Sequence, residues 1–380
     1  MRVKVLGAPG VNSQDLLGYV DQHGLCAGLT KMWKWARAQP VREQRVWESY
    51  ELQKGFMNTG DNLAVRTEKK EKIYRQYLVD NVNYDLEIFI RKEYVNNAVP
   101  VLVPTYMPNQ LATRLTQACV ASIKRYTSIP TEVWLIDNGS PKIQLEPFLL
   151  DAEINTVLNK TEPIAPRFRN FTAKVNHWLR RGIRGHALQS QDRSYANAVG
   201  LELGVRVIPQ DVKHVVTLHS DTLVLDANWL SFFLSKITDK TRISAFRRDP
   251  GRVNAAHIGG MLFDYQLYKE LNANFFHNLR QERYPDRPEY DVGDYLSTSF
   301  EQAGYDFFVA ENTFNTPDLP IKSQSRPILQ DMPCDRCIND QGEIFFAHLG
   351  RGATKAFGTY SKGLGPEEWV EIANSLGISA

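Results

Sequence analysis

Four short clusters in this sequence carry side chains able to do chemistry at a chain turn. Asp137-Asn138-Gly139-Ser140 and His219-Ser220-Asp221-Thr222 each close a short apolar run, Tyr290-Asp291-Val292-Gly293-Asp294 precedes a helical pattern, and Phe345-Phe346-Ala347-His348 leads into Leu349-Gly350-Arg351-Gly352. A carboxylate at a strand end, as at Asp137, can accept hydrogen bonds from a ribose hydroxyl or a uracil-type base, and Asn138-Gly139 makes the tight turn that lets backbone approach a ligand; it can equally do no more than cap its own turn. Asp221 is a hard carboxylate able to hold a divalent cation, which would offset the charge that builds on a diphosphate leaving group. His348, as a neutral imidazole, is a competent ligand for Mn²⁺, although a lone histidine often serves only as a satisfied polar residue. Arg351 and Lys355 beside it could steady a diphosphate. Cys334 and Cys337 have metal-ligand spacing, but structural zinc needs two further ligands and none is apparent; Cys26 and Cys119, in apolar surroundings, read as buried thiols.

Such groups work only if regular elements hold them together. From Ala98 onward, short apolar runs alternate with helix-length segments, the pattern of a parallel α/β sheet. Strands are expected at Val99–Val103, Glu132–Ile136, Ile154–Leu158 and Val215–Leu218, and helices at Leu111–Tyr126 and Tyr195–Val207. Polar residues at the strand ends are then the ligand-facing ones. Residues 1–97 differ: Trp33 and Trp35 precede charged amphipathic stretches around 41–54 and 64–79, which read as a mainly helical accessory segment.

Composition sets the outer limits. With 380 residues, 43% of them hydrophobic and 11% aromatic, the chain can fill a sizeable core, which excludes a disordered or fibrous protein. The 45 Lys and Arg nearly balance the 43 Asp and Glu, so any basic surface must be local. The longest apolar stretches fall far short of the roughly 20 residues that cross a bilayer, and no signal-like h-region opens the chain. The expectation is a soluble, cytoplasmic protein without a transmembrane segment, and four cysteines suit a reducing compartment.

Pro104-Thr105-Tyr106, Asp137-Asn138-Gly139-Ser140 and His219-Ser220-Asp221, in that order and at strand ends, resemble the nucleotide-sugar-binding half of the GT-A glycosyltransferases, family 2 in particular, over about residues 98–315. Ser194-Tyr195-Ala196-Asn197-Ala198-Val199-Gly200 is similar to that family's donor-facing segment, and Asp226-Ala227-Asn228-Trp229-Leu230 to the one after its metal motif. The resemblance implies a GT-A type, Rossmann-like mixed sheet flanked by helices, with residues 316–380 completing the active site. It implies a hexosyltransferase moving a sugar from a nucleotide-diphospho-sugar, such as a UDP-sugar, to an acceptor hydroxyl with Mn²⁺ or Mg²⁺. Donor-binding roles fall on Pro104, Thr105, Tyr106, Asp137, Asn138, Asn197, Ser220, Asp221 and Arg351. Metal binding falls on Asp221 and His348, with His219 standing where the family has its first acid. Gly259 and Gly260 resemble the turn lining the acceptor side, though close packing explains such glycines equally well. The family's general base aligns with Asp291 or Asp294, here three residues apart, so either could deprotonate the acceptor for an inverting transfer; Asp291 could also be a helix N-cap.

Residues 163–191 include Arg167, Arg169, Lys174, Arg180, Arg181 and Arg184 interleaved with aromatic residues. This stretch, Arg180 and Arg181 above all, could grip a polyanionic acceptor, or be a solvated basic helix. The acceptor reads as a saccharide or lipid-linked glycan. A hydroxymethylated base in DNA, as used by phage-type DNA glycosyltransferases, is the alternative, and a non-catalytic nucleotide-sugar- or glycan-binding module is another. Sugar nucleotidyltransferases are disfavoured, because Pro104–Leu111 lacks the glycines of their phosphate loop.

Overall fold

A computed structural model describes residues 42–46, 71–91, 97–165, 190–249, 253–276, 290–356, 358 and 361–378. Its strands are β1 (Arg42–Val46), β2 (Glu71–Val79), β3 (Val82–Ile90), β4 (Val99–Thr105), β5 (Thr131–Asp137), β6 (Ile154–Asn159), β7 (His214–Leu218), β8 (Thr222–Val224), β9 (Thr241–Ala245), β10 (Arg248–Asp249), β11 (Ala255–Ala256), β12 (Gly260–Asp264), β13 (Asp306–Val309), β14 (Glu311–Asn312), β15 (Asp335–Ile338) and β16 (Ile344–His348). The helices that matter below are α1 (Gln110–Tyr126), α2 (Lys142–Leu149), α3 (Ser190–Val207), α4 (Trp229–Ser235), α5 (Tyr265–Glu270), α6 (Asp294–Gln302), α7 (Gly352–Ala356) and α8 (Pro366–Ser375). Ten strands form one mixed sheet in the order β1-β2-β3-β6-β5-β4-β7-β12-β9-β13, and β14-β15-β16-β8 form a second. This is the large mixed sheet flanked by helices that the family resemblance implies.

The centre of the large sheet is parallel: β6, β5, β4 and β7 run together, with Asp137 beside Thr105 and Leu102 beside Thr217. Strands buried on both faces read as continuous apolar runs, yet their side chains still alternate. Val101, Val103, Val133 and Leu135 join α1 and the carboxyl-terminal segment in one core, whereas Leu102, Trp134 and Ile136 join Tyr195, Val199 and Leu203 of α3 in the other. Asn109 caps α1 by accepting from Ala112 N at 3.0 Å, and its Nδ2 donates to Ala356 O at 2.9 Å, which fastens α7 to the mouth of the first βα unit.

The mainly helical reading of residues 1–97 is corrected wherever they are described. The stretches expected as helix contain β1 and β2, and β2 and β3 form a hairpin that joins the sheet through β3 and β6. Asp80 and Asn81 turn it with φ of 47° and 62°, the left-handed pair that a two-residue hairpin demands. Ile73, Tyr77 and Val79 are buried while Leu78 is exposed, and the charges between them had imitated a helix face. The remainder of that segment lies outside the described residues. No helix among the described residues is long and apolar enough to cross a membrane.

Candidate functional site

The two sheets meet at the turn after β7. β7 ends at Leu218, His219-Ser220-Asp221 turns the chain, and β8 begins the second sheet at Thr222. In that sheet His348 pairs with Thr222, and Asp335 pairs with His348. In the large sheet Gly260 pairs with Leu218, and His219 N donates to Gly259 O at 3.1 Å. Residues separated by more than a hundred positions thus converge, and ligand atoms of His219, Asp221 and His348 all lie within 4.8 Å of one another.

The cluster could hold a cation. Asp221 and His348 are buried, with His348 Nε2 3.4 Å from Asp221 Oδ1. Gly352 N donates to Asp221 Oδ2 at 2.7 Å and Leu349 N donates to Asp221 O at 3.0 Å, so the loop after His348 grips Asp221 by side chain and backbone. A Cβ on Gly352 would lie 2.4 Å from that of Asp221, which explains the glycine there. The Nε2 atom of His219 is buried without a hydrogen-bond partner, and that of His348 is buried with the 3.4 Å ion-pair contact to Asp221. Two imidazoles and one carboxylate fit a divalent transition ion.

The electrostatics agree. Burial, reinforced by His348 and Arg247 against the pull of Asp221, pushes His219 down to about 4, so it is neutral at pH 7. Burial alone would raise Asp221, but His348, His219 and the Gly352 N–H hold it well below the usual carboxylate range. Burial opposes charge on His348 as well, yet Asp221 and then Asp335 raise it above 6.5. Because the folded value exceeds the unfolded one, the stability this proton adds is complete below pH 6.5 and is lost as pH rises through the folded value. Thermal melts of the metal-free protein should therefore show stability declining over that interval, while Mn²⁺ titrations over the same interval show tightening affinity with release of a proton. Parallel weakening of both would refute the arrangement.

The donor-side residues share this sheet edge, with roles the structure separates. Asp137 is buried; its carboxylate accepts from Gly139 N and Ser140 N, each at 2.9 Å, and from the Ser140 hydroxyl, so it serves the turn-cap alternative, and burial raises its pKa despite those bonds. Ser140 Oγ in turn accepts from Met107 N at 2.7 Å and locks the β4 and β5 loops together. Thr105 turns its hydroxyl into α1, 3.3 Å from Thr116 Oγ1, away from a ligand. Pro104 and Asn138 pack on Gly200, where a Cβ would lie 2.9 Å from Asn138 Nδ2. Asn138 is held by Ala196 O at 2.8 Å and Asn159 Nδ2 at 3.1 Å, tying β5 and β6 to α3. Tyr106 remains 41% exposed at the mouth, and Asn197 Oδ1 is buried with no partner. Ser220 is half-buried in the metal turn, and Arg351 is exposed with φ of 59°. Lys355 is no diphosphate clamp: its buried ammonium donates to Leu364 O at 2.9 Å and Leu349 O at 3.3 Å.

Asp291 and Asp294 are separated by their surroundings. The N-cap of α6 is Gly293, not Asp291. Asp294 is buried and its Oδ2 accepts from Asp291 N at 2.7 Å, which holds the turn. Asp291 is half-buried and close enough to His219 to act on its charge. Gly293 has φ of +83°, and a Cβ there would lie 1.9 Å from Ile258 Cγ2. Gly293→Ala should accordingly cost about 2 kcal/mol, read as a lower denaturation midpoint; an unchanged midpoint would refute the packing described.

Gly259 and Gly260 follow the close-packing alternative. A Cβ on Gly260 would lie 1.9 Å from Phe246 Cδ1, and one on Gly259 2.9 Å from His219 Nδ1. Arg180, Arg181, Arg184 and the rest of the basic stretch from Arg167 onward lie outside the described residues, as does Cys26. Cys334, pushed up to about 12 by burial, and Cys337, raised well above the usual thiol value by burial and donating to Phe246 O at 3.3 Å, are packed thiols. Cys119 is also buried and pushed up to about 12. Sequence reasoning missed Asp335, which sits between the two cysteines that drew attention, and His257, two residues before Gly259.

No protein-family model matches the chain, and no curated protein matches it in sequence. Similar solved structures include galactosyltransferase LgtC in complex with donor and acceptor sugar analogs, at 13% identity, covering 73% of this chain and 96% of that one with a TM-score of 0.41. Mannosyltransferase PcManGT from Pyrobaculum calidifontis in complex with GDP-Man and Mn²⁺ is similar at 15% identity, covering 73% and 69% with a TM-score of 0.36. Mouse xyloside xylosyltransferase 1 is similar at 11% identity, covering 56% and 85% with a TM-score of 0.34. Likenesses this distant decide nothing about chemistry, which rests on the site itself.

Proposed function

We propose that this protein is a metal-assisted glycosyltransferase that binds a nucleotide-diphospho-sugar across the carboxyl ends of β4, β5 and β7 and moves the sugar to an acceptor hydroxyl. The observation that carries the reading is the convergence of ligand atoms of His219, Asp221 and His348 within 4.8 Å of one another at the end of β7. His219, Asp221 and His348 would hold the cation, and two nitrogens among three ligands suit Mn²⁺ better than Mg²⁺, which prefers oxygen. Bound there, the ion supplies positive charge to a departing diphosphate.

The remaining work belongs to the chain. Tyr106 offers an aromatic face at the mouth for the base, and Asn197 Oδ1 an acceptor for a donor hydroxyl. Asp137 and Ser140 keep the intervening loops rigid, so these groups act from fixed positions. Asp291, less buried than Asp294 and near enough to His219 to act on its charge, takes the acceptor proton from the face opposite the leaving group, so the transfer inverts the anomeric carbon. The acceptor is a saccharide or lipid-linked glycan. Residues 98–315 form the catalytic unit and 316–380 complete it through His348.

A panel of nucleotide-diphospho-sugars incubated with the protein and Mn²⁺ tests the reading. At least one should be hydrolysed slowly, and chelation should stop it. Binding of a sugar nucleotide without turnover would make the protein a binding module, and neither binding nor turnover would overturn the proposal.

A further inference from the structure

We infer that Asp335, anchored by Arg247, is a positioning residue that fixes the tautomer of His348 and so aims its Nε2 lone pair at the cation. The inference deepens the metal-assisted reading above and rests on it. Asp335 Oδ2 lies 3.2 Å from His348 Nδ1, across the β15–β16 register that pairs the two residues. Both ring nitrogens face a carboxylate, but only the 3.2 Å Nδ1 contact has hydrogen-bond geometry, the 3.4 Å approach of Nε2 to Asp221 Oδ1 having none; a carboxylate only accepts, so the single proton of the neutral ring belongs on Nδ1 and Nε2 keeps its lone pair. That nitrogen is the one buried without a hydrogen-bond partner and turned toward Asp221.

Asp335 is itself held. Arg247 Nη1 lies 2.8 Å from the same Oδ2, while Arg247 Nη2 lies 2.8 Å from His257 Nε2, which must accept because a guanidinium only donates. The guanidinium stands 4.0 Å from the Phe314 ring centroid, which limits its swing. A line of contacts therefore runs from His219, whose ring stands edge-on to that of His257 at 5.2 Å, through His257, Arg247 and Asp335, to His348. Both ends of the line are at candidate ligands. An ion pair serving stability alone has no need to end on the ring nitrogen opposite an unpartnered one.

The test has two parts. Histidine-labelled wild-type protein, read by ¹⁵N NMR without metal at a pH where the ring is neutral, should show His348 in the Nδ1–H form, assigned by its loss in His348→Gln; the Nε2–H form would overturn the inference. Mn²⁺ affinity, followed by the electron paramagnetic resonance signal of the free ion, should then fall roughly 10–100-fold in Asp335→Asn with the circular dichroism spectrum unchanged. Arg247→Lys, which keeps the charge but not the paired donors, should fall between the two. Wild type that binds no Mn²⁺ would sink the metal reading and this inference with it, whereas equal affinities in wild type and Asp335→Asn would sink the inference alone.

Discussion

Asp221→Ala should reduce sugar transfer roughly 10³-fold or more, a loss of about 4 kcal/mol of transition-state stabilisation, while the protein remains folded. Asp221 is the only carboxylate among the three converging ligand groups, and it is the group whose charge survives burial because His348 and His219 surround it. Removing it leaves two neutral or mutually repelling imidazoles and no anion to hold a cation. Stability should change less. The Gly352 N–H loses its acceptor, at about 1–3 kcal/mol, but the proton on His348 also loses its reason to stay. Asp221→Asn separates the effects, since its amide oxygen can still accept from Gly352 N: the fold should recover and transfer should not. Activity near wild type in either variant at saturating Mn²⁺ would remove the metal from the mechanism.

Asp291→Asn should lower kcat about 10²–10⁴-fold with donor binding intact, and the wild-type product should carry the anomeric configuration opposite to that of the donor. Asp294→Asn should behave differently. Its carboxylate holds the Asp291 N–H at the start of α6, so its replacement should lower thermal stability and affect kcat only through the displaced turn. Kinetics of both variants, their melting curves, and proton NMR of the fresh product settle the roles together. Retention of configuration, or equal small losses in the two variants, would dismiss Asp291 as the base.

Much of this was legible in the residues. The strands ending at Thr105, Asp137 and Leu218 and the helices α1 and α3 lie within a few residues of expectation, because apolar runs buried on both faces have few other ways to fold. The polar triplets at those ends stood out because turn chemistry there is local. β2 and β3 were not legible as strands, since alternating charge on a half-exposed hairpin matches a helix face as well as a sheet face until the partner strand is known.

Residue types at the turns, together with the family resemblance, marked His219, Asp221, Asp291, Asp294 and His348 as candidates for chemistry. Which of them meet, and in what state, follows from the fold. That His348 faces Asp221 depends on β16 pairing with β8, a register between residues more than a hundred positions apart that no local pattern encodes. That Asp335 takes the Nδ1 side of His348, that Asp137 is spent on its own turn, and that Asp294 holds the Asp291 N–H are each set by where a side chain's hydrogen bonds end. Burial then converts those contacts into charge states, because ionisation energies inside a protein answer to neighbours in space and not to neighbours in the chain.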